Sequence, residues 1–274
     1  MKGEKIYKIL LEGIGLLLSL VVLVPVYFVV INSFKTPNEA ADMMITWPSK
    51  FQIFENYRAV YVEGHILRAL INSSIITGAS VALIIILASL TGYVLQRRKD
   101  RYTNFLNFMV LAGLIVPPAM VPTYWVLKLL HVNGTVLSVI LMEAVLGFSF
   151  SVLIYKGFFT TIPREIDEAA LVDGCGGLRL FYTIIFPLLK PVTTTIAVIQ
   201  CISIWNDFNI PMYFLSSSSN TTLPITVFLF FGKYLSNWNL VFADVVIIAI
   251  PVTIVYLLAQ KYIIDGMTAG SLKG

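Results

Sequence analysis

The chain has 274 residues, of which 58% are hydrophobic and only 12% charged, against roughly 25% charged in a soluble domain. That balance excludes a soluble globular protein, and the repeated apolar runs make it an integral membrane protein with several crossings. The formal net charge of +4 is no nucleic-acid signal, because the basic residues sit beside the apolar runs, where they set orientation.

Lys2, Lys5 and Lys8 precede an apolar run over about 9–31. A run of this length spans ~30 Å of hydrocarbon with ~20 residues, and it is longer than the core of a signal peptide, so it is expected to stay as a first span. Residues 32–68 form a polar loop rich in aromatics, among them Trp47, Phe51, Phe54, Tyr57 and Tyr61. These rings suit either headgroup depth or contact with an outside partner. The second span is expected at about 69–96, with Ser73, Ser74, Thr77, Gly78 and Ser80 letting helices approach closely. A very basic turn follows, Arg97-Arg98-Lys99-Asp100-Arg101.

The third span is expected at about 105–130, kinked at Pro117, Pro118 and Pro122, whose freed carbonyls need partners. Asn133-Gly134-Thr135 is a tight turn, and the fourth span follows at about 136–158 with Glu143 inside it. After the stretch 160–191, the fifth span is expected at about 192–215 and carries Trp205, Asn206 and Asp207. An outer loop with a flexible Ser216–Asn220 run leads to the sixth span at about 240–263, which contains Asp244 and Pro251.

The stretch 160–191 is the longest between apolar runs on the side where basic residues gather. It reads as helix, glycine corner, helix. Pro163 suits a first helical position, and Glu165, Asp167 and Glu168 suit the positive end of the helix dipole. Ile166, Ala169 and Ala170 are expected to share one small apolar face. Asp173-Gly174 and Gly176-Gly177 break the helix. Leu178, Phe181, Tyr182 and Ile185 then follow at helical spacing. Gly174 is expected to adopt a left-handed or crowded backbone, Ala169 and Ala170 to enter a partner's cleft, and Glu168 to meet a basic partner or Arg179.

Glu168-Ala169-Ala170, then Asp173-Gly174, Ile184 and Pro187 in register, resemble the EAA loop of ABC importer permeases. Phe186 stands where the family usually has Leu, and Cys175 where it has Ala or Ser. Pro117 to Tyr124 is similar to the family's P-x-x-x-I-P-x-Y signature, with Val121 for Ile. Trp205-Asn206-Asp207-Phe208 and the ending Thr268 to Gly274 resemble signatures of its carbohydrate permeases. The resemblance covers essentially the whole chain. It implies an all-α, single-domain permease of six transmembrane helices, the type I ABC importer fold, with 160–191 as the cytoplasmic coupling loop. It implies a bacterial cell-membrane importer for a sugar or oligosaccharide, working by alternating access, or, alternatively, for a non-sugar solute. The implied partners are a second homologous permease, a cytoplasmic ABC ATPase dimer that binds the ATP and Mg, and an external solute-binding protein.

Orientation follows independently. With both ends inside, 13 of the 19 Lys and Arg lie on the cytoplasmic side, as the positive-inside rule asks, and the EAA stretch lies there too. No phosphate loop, metal cluster or nucleophile–base pair is visible in the sequence. A secondary carrier would need its own coupling-ion site and an internal repeat, and neither is visible. Among intramembrane polar residues, Trp205, Asn206 and Asp207 either bind sugar or pack between helices. Glu143 and Asp244 are expected to bond within the bundle, and Lys128 to reach for the interface.

Overall fold

In hydrocarbon a backbone must satisfy its own hydrogen bonds, and a helix does so within one segment. The computed structural model, which describes residues 2–215, 220–231 and 237–271, is accordingly built of helices. In chain order they are α1 (Lys2–Ser33), α2 (Pro37–Ala41), α3 (Ile53–Glu63), α4 (Ile66–Arg97), α5 (Arg101–Ile115) and α6 (Met120–Leu129). Then come α7 (Val136–Phe159), α8 (Glu165–Val172), α9 (Gly177–Leu180), a π-helical turn (Phe181–Ile185) and α10 (Phe186–Leu188). The last four are α11 (Lys190–Asn206), α12 (Asn209–Phe214), α13 (Leu223–Phe230) and α14 (Trp238–Ser271). The expected flexible run at Ser216–Ser219, Lys233, and the tail residues Leu272, Lys273 and Gly274 lie outside the described residues.

Among the described residues, four helices are long and apolar enough to cross a membrane, within α1, α4, α7 and α14. A fifth crossing arises if Gly177–Leu188 and Lys190–Asn206, bent by 80°, count as one. The expected third and fifth spans are not continuous helices. Pro117 disfavours helical backbone at Val116, which is extended (ψ 118°) and ends α5, so that run becomes α5 and α6. The fifth run ends at Asn206. The Asp207 carboxylate accepts from the Asn209 N–H at 2.7 Å, an Asx-type turn that leaves Asp207 extended before the short α12.

The chain packs as two compact units, one of the residues up to Ala69 with Leu223–Pro251, the other of Leu70–Thr222 with the residues after Pro251. The first unit buries polar groups beside apolar ones such as Ile31, Val60, Leu223 and Phe230. Lys35, 1% exposed, donates to the Met44 carbonyl at 2.7 Å. Asn56 donates to the Ser33 and Lys35 carbonyls and accepts from Asn239. The expectation for Asp244 holds, since Thr226 donates to it at 2.8 Å. Trp47, Phe51, Phe54 and Tyr61 are exposed, consistent with either expected role for that loop.

The second unit is centred on α7, which packs on α5, α11 and α12. Close approach to α4 uses small residues, as expected in lipid. A Cβ on Gly92 of α4 would meet the Tyr155 Cβ at 2.8 Å. A Cβ on Gly147 of α7 would meet Ile84 at 2.6 Å and Gln200 at 2.7 Å. Ser73, Thr77 and Ser80 are buried, with Ser80 donating to the Ile140 carbonyl, whereas Ser74 and Gly78 face outward. Lys128 lies 5.0 Å over the Trp125 ring, a cation–π contact.

Candidate functional site

Two places carry the polar and strained features of the second unit: the element 160–191 and a cavity between α7 and α11.

The first is the helix–corner–helix that the sequence anticipates, with several corrections. Pro163 lies outside α8, and Arg164 is its N-cap, accepting from the Glu168 N–H at 3.1 Å. Gly174 has φ +75°, the left-handed region that favours glycine, but no atom lies within 4 Å of its hypothetical Cβ, so the site is strained without being crowded. Gly177, at φ +59°, makes a second left-handed corner, at the Gly176-Gly177 break that the sequence suggests. Ile166, Ala169 and Ala170 do not share a face. Ala170 is 5% exposed and belongs to the chain's own core, Asp167 is turned inward beside it, and Ala169 and Glu168 face out. Ala170 therefore fills this chain rather than a partner's cleft. The outward apolar residues are Leu171, Leu178 and, most of all, Val172 at 88% exposure. No ion pair joins Glu168 to Arg179 among the described residues, and both are exposed.

The helical spacing expected for Leu178, Phe181, Tyr182 and Ile185 breaks at the π turn, where the Phe186 N–H bonds to the Phe181 carbonyl. The wider turn buries Phe181, Ile185 and Leu189, four apart, and leaves Leu178 and Tyr182 outside. Ile184 and Phe186 pack against that core, and Pro187 sits in the first turn of α10.

What fixes this element is a polar joint that the sequence did not reveal. Asp167 forms an ion pair with Arg97 at the end of α4, Oδ2 to Nε 2.7 Å, with both side chains 12% exposed. Its other oxygen accepts from the Tyr93 hydroxyl at 2.9 Å. The Arg97 guanidinium also donates to the Ile162 carbonyl at 3.2 Å, and Arg164 returns a bond to the Gln96 carbonyl at 3.3 Å. The Tyr93 ring packs on Phe159 and Phe181, 5.5 Å from each. One side chain of α4 thus touches α7, α8 and the π turn together. Next to it Asp100 caps α5, and the Thr103 N–H holds its carboxyl below the usual carboxylate range. The basic turn that reads as a topology signal is also structural.

The second place is a cavity of about 500 Å³ lined by Glu143, Leu146, Gly147 and Phe150 of α7 and by Ile199, Gln200, Ser203, Asn206 and Asp207. Gln200, 5% exposed, donates to the Gly147 carbonyl at 3.2 Å and to Ser151 at 3.0 Å. Asn206 donates to the Ile202 carbonyl at 2.8 Å. Glu143, 5% exposed, faces Asp207 closely enough for the two carboxyl groups to interact, yet its Oε1 has no hydrogen-bond partner among the described residues. Glu143 thus meets a bundle partner, Asp207, as Asp244 meets Thr226, and one oxygen of each is left without a partner among the described residues. Asn206 and Asp207 come together here, but Trp205 is 8% exposed and is not part of the lining. No group of three or more potential metal ligands occurs among the described residues.

The model of the family "Binding-protein-dependent transport system inner membrane component" matches residues 84–268. The chain is 34% identical to the "Probable starch degradation products transport system permease protein AmyC" of Thermoanaerobacterium thermosulfurigenes, covering 100% of both. It is 34% identical to the "Melibiose/raffinose/stachyose import permease protein MelC" of Bacillus subtilis (strain 168), over 92% of this chain and 91% of the other. Among solved structures, a chain of a bacterial ABC transporter involved in the import of the acidic polysaccharide alginate superposes with TM-score 0.81 at 20% identity, over 96% of this chain and 98% of that one.

Proposed function

The chain belongs to the binding-protein-dependent ABC transport permeases of the inner membrane, and from that premise we propose that it forms half the path of an importer for a sugar or oligosaccharide, driven through 160–191. The observation that carries this is the joint at Asp167. An element that presents Leu171, Val172 and Leu178 to the outside, while tied by an ion pair to the end of α4, is built to receive a push and pass it into the membrane helices. The names of the relatives, with cargoes from starch fragments to raffinose, support a saccharide as the solute.

The partners on this reading are an ATPase dimer in the cytoplasm, an external solute-binding protein and a second homologous permease. The chain crosses six times, through α1, α4, the α5–α6 pair, α7, α11 and α14, as a single permease domain with both ends in the cytoplasm. Glu168, Ala169, Asp173, Gly174, Ile184 and Pro187 shape the coupling element, with Ala170 as its inner anchor. Asn206 and Asp207 lie on the solute path, and Trp205 holds the end of α11. ATP closes the ATPase dimer, α8 moves with it, and Arg97 and Tyr93 carry that movement into α4 and α7. Catalysis belongs to the partner, so this chain is no enzyme.

The test is purification through a tag on this chain from cells that also express its neighbouring subunits. An ABC ATPase should co-purify, and its hydrolysis should rise when a binding protein loaded with oligosaccharide is added. A tagged chain that carries no ATPase, or hydrolysis indifferent to every loaded saccharide, would contradict the reading.

A further inference from the structure

We propose that the cavity between α7 and α11 is a saccharide subsite that accepts neutral sugar hydroxyls and rejects acidic sugars. This rests on the importer reading above and adds the charge class of its solute. Three observations carry it. First, the charged groups of the lining are Glu143 and Asp207, with no Lys, Arg or His among the lining residues. Two carboxyl groups facing one another leave the cavity net negative even when one proton is shared between them. Second, the amide donors of the lining already serve the chain itself, which leaves the Ser203 hydroxyl and the carboxylate and amide oxygens toward the cavity. The Gln200 amide N–H groups serve Gly147 and Ser151, and the Asn206 amide serves Ile202. The Glu143 Oε1 is buried and without a partner among the described residues. That oxygen has almost no surface of its own, so solute hydroxyls would meet the Asp207 carboxylate and the Asn206 and Ser203 side chains of the lining instead. Third, the volume of about 500 Å³ lies in the range of small-molecule sites.

The fold alone does not set this preference. The structurally similar chain comes from a transporter involved in importing an acidic polysaccharide, so the architecture admits acidic cargo and the discrimination must come from side chains. Here those side chains are of the repelling sign for a uronate.

The experiment uses the purified complex of this chain, its permease partner and the ATPase, without nucleotide and without binding protein. Isothermal titration measures two neutral trisaccharides, maltotriose and raffinose, against trigalacturonate and the trimer of glucosamine. At least one neutral probe should bind, and trigalacturonate should bind at least about tenfold more weakly, as a unit charge close to another of the same sign requires. Glu143→Gln combined with Asp207→Asn, which keeps the shape of both side chains and removes both carboxyl groups, should bring the neutral and acidic probes to within about twofold of each other. Asp207→Asn should reduce the same ratio. Equal binding of trigalacturonate by the wild type, an unchanged ratio in both variants, or no binding of any probe would overturn the proposal. By the same argument of sign the glucosamine trimer should bind more tightly than trigalacturonate, and weaker binding of it would overturn the proposal. If the same preparation still raises its ATP hydrolysis with a loaded binding protein, these failures strike this proposal alone. If no saccharide stimulates it, the importer reading falls with it.

Discussion

Removing the Asp167 carboxylate is the perturbation whose size the geometry defines best. Asp167→Ala breaks an ion pair of 2.7 Å between side chains that are each 12% exposed, and it strands the Arg97 guanidinium. Breaking a buried pair from one side costs about 3–5 kcal/mol. Here the lower end applies, because the Ile162 carbonyl still accepts from Arg97. The lost bond from Tyr93 is part of the same figure. At 1.4 kcal/mol per factor of ten, about 3 kcal/mol is a hundredfold or more in the equilibrium that docks α8. Hydrogen exchange of the purified complex reads this directly: the amides of α8 should exchange about a hundredfold faster than wild type. Those in the middle of α7 should not change. Tyr93→Phe, which removes a single bond to a charged acceptor, should give a smaller effect of about 1.5–3 kcal/mol. Wild-type protection of α8 in Asp167→Ala would refute the claim that this joint holds the element to α4.

Three further outcomes follow from the same reasoning. Gly92→Ala puts a methyl 2.8 Å from the Tyr155 Cβ and 3.2 Å from the Lys156 nitrogen, so it should destabilise by about 1–3 kcal/mol; an unchanged melting temperature of the complex would contradict the close packing of α4 on α7. Gly174→Val must hold a branched side chain at φ +75°, a strain of about 1–2 kcal/mol, and should abolish the response of ATP hydrolysis to loaded binding protein, whereas Gly174→Asn, which tolerates that backbone, should retain most of it. In the loop after α1, Ser49 and Thr36 lower the Glu39 pKa from 4.5 to about 2. A depressed carboxylate pKa stabilises the loop above the unfolded value and loses that support as pH falls from about 4.5 toward 2. Protease cleavage near Ser49 should therefore increase over that range, and Glu39→Gln should flatten the profile.

The readable part of this molecule was what depends on composition and short spacing. The lack of charge required membrane helices, Gly174 marked a left-handed corner, and Asp244 finds a partner within the bundle, as an intramembrane acid should. Patterns that need a partner far away in sequence were not readable. Asp167 looked like an ordinary acid at a helix start because Tyr93 stands 74 positions earlier, and Arg97 looked like one more basic residue in a topology signal. The inward turn of Ala170 and outward turn of Ala169 follow from which face Asp167 takes, so they were lost together. The π turn at Phe181–Ile185 defeats a periodicity of 3.6. The cavity depends on Asp207 leaving the helix, which the Asn209 N–H decides, and on α7 bringing Glu143 to the same level.

The central claim is that a separate ATPase sits on the outward face of α8. A photo-crosslinking amino acid placed at Val172, 88% exposed, tests it against the same group at Phe54 of α3, 74% exposed. After illumination of the intact complex in membranes, the account predicts an adduct of this chain with the ATPase, identified by its peptides, from position 172 and none from position 54. Absence of that adduct at 172, or its appearance at 54, would contradict the account.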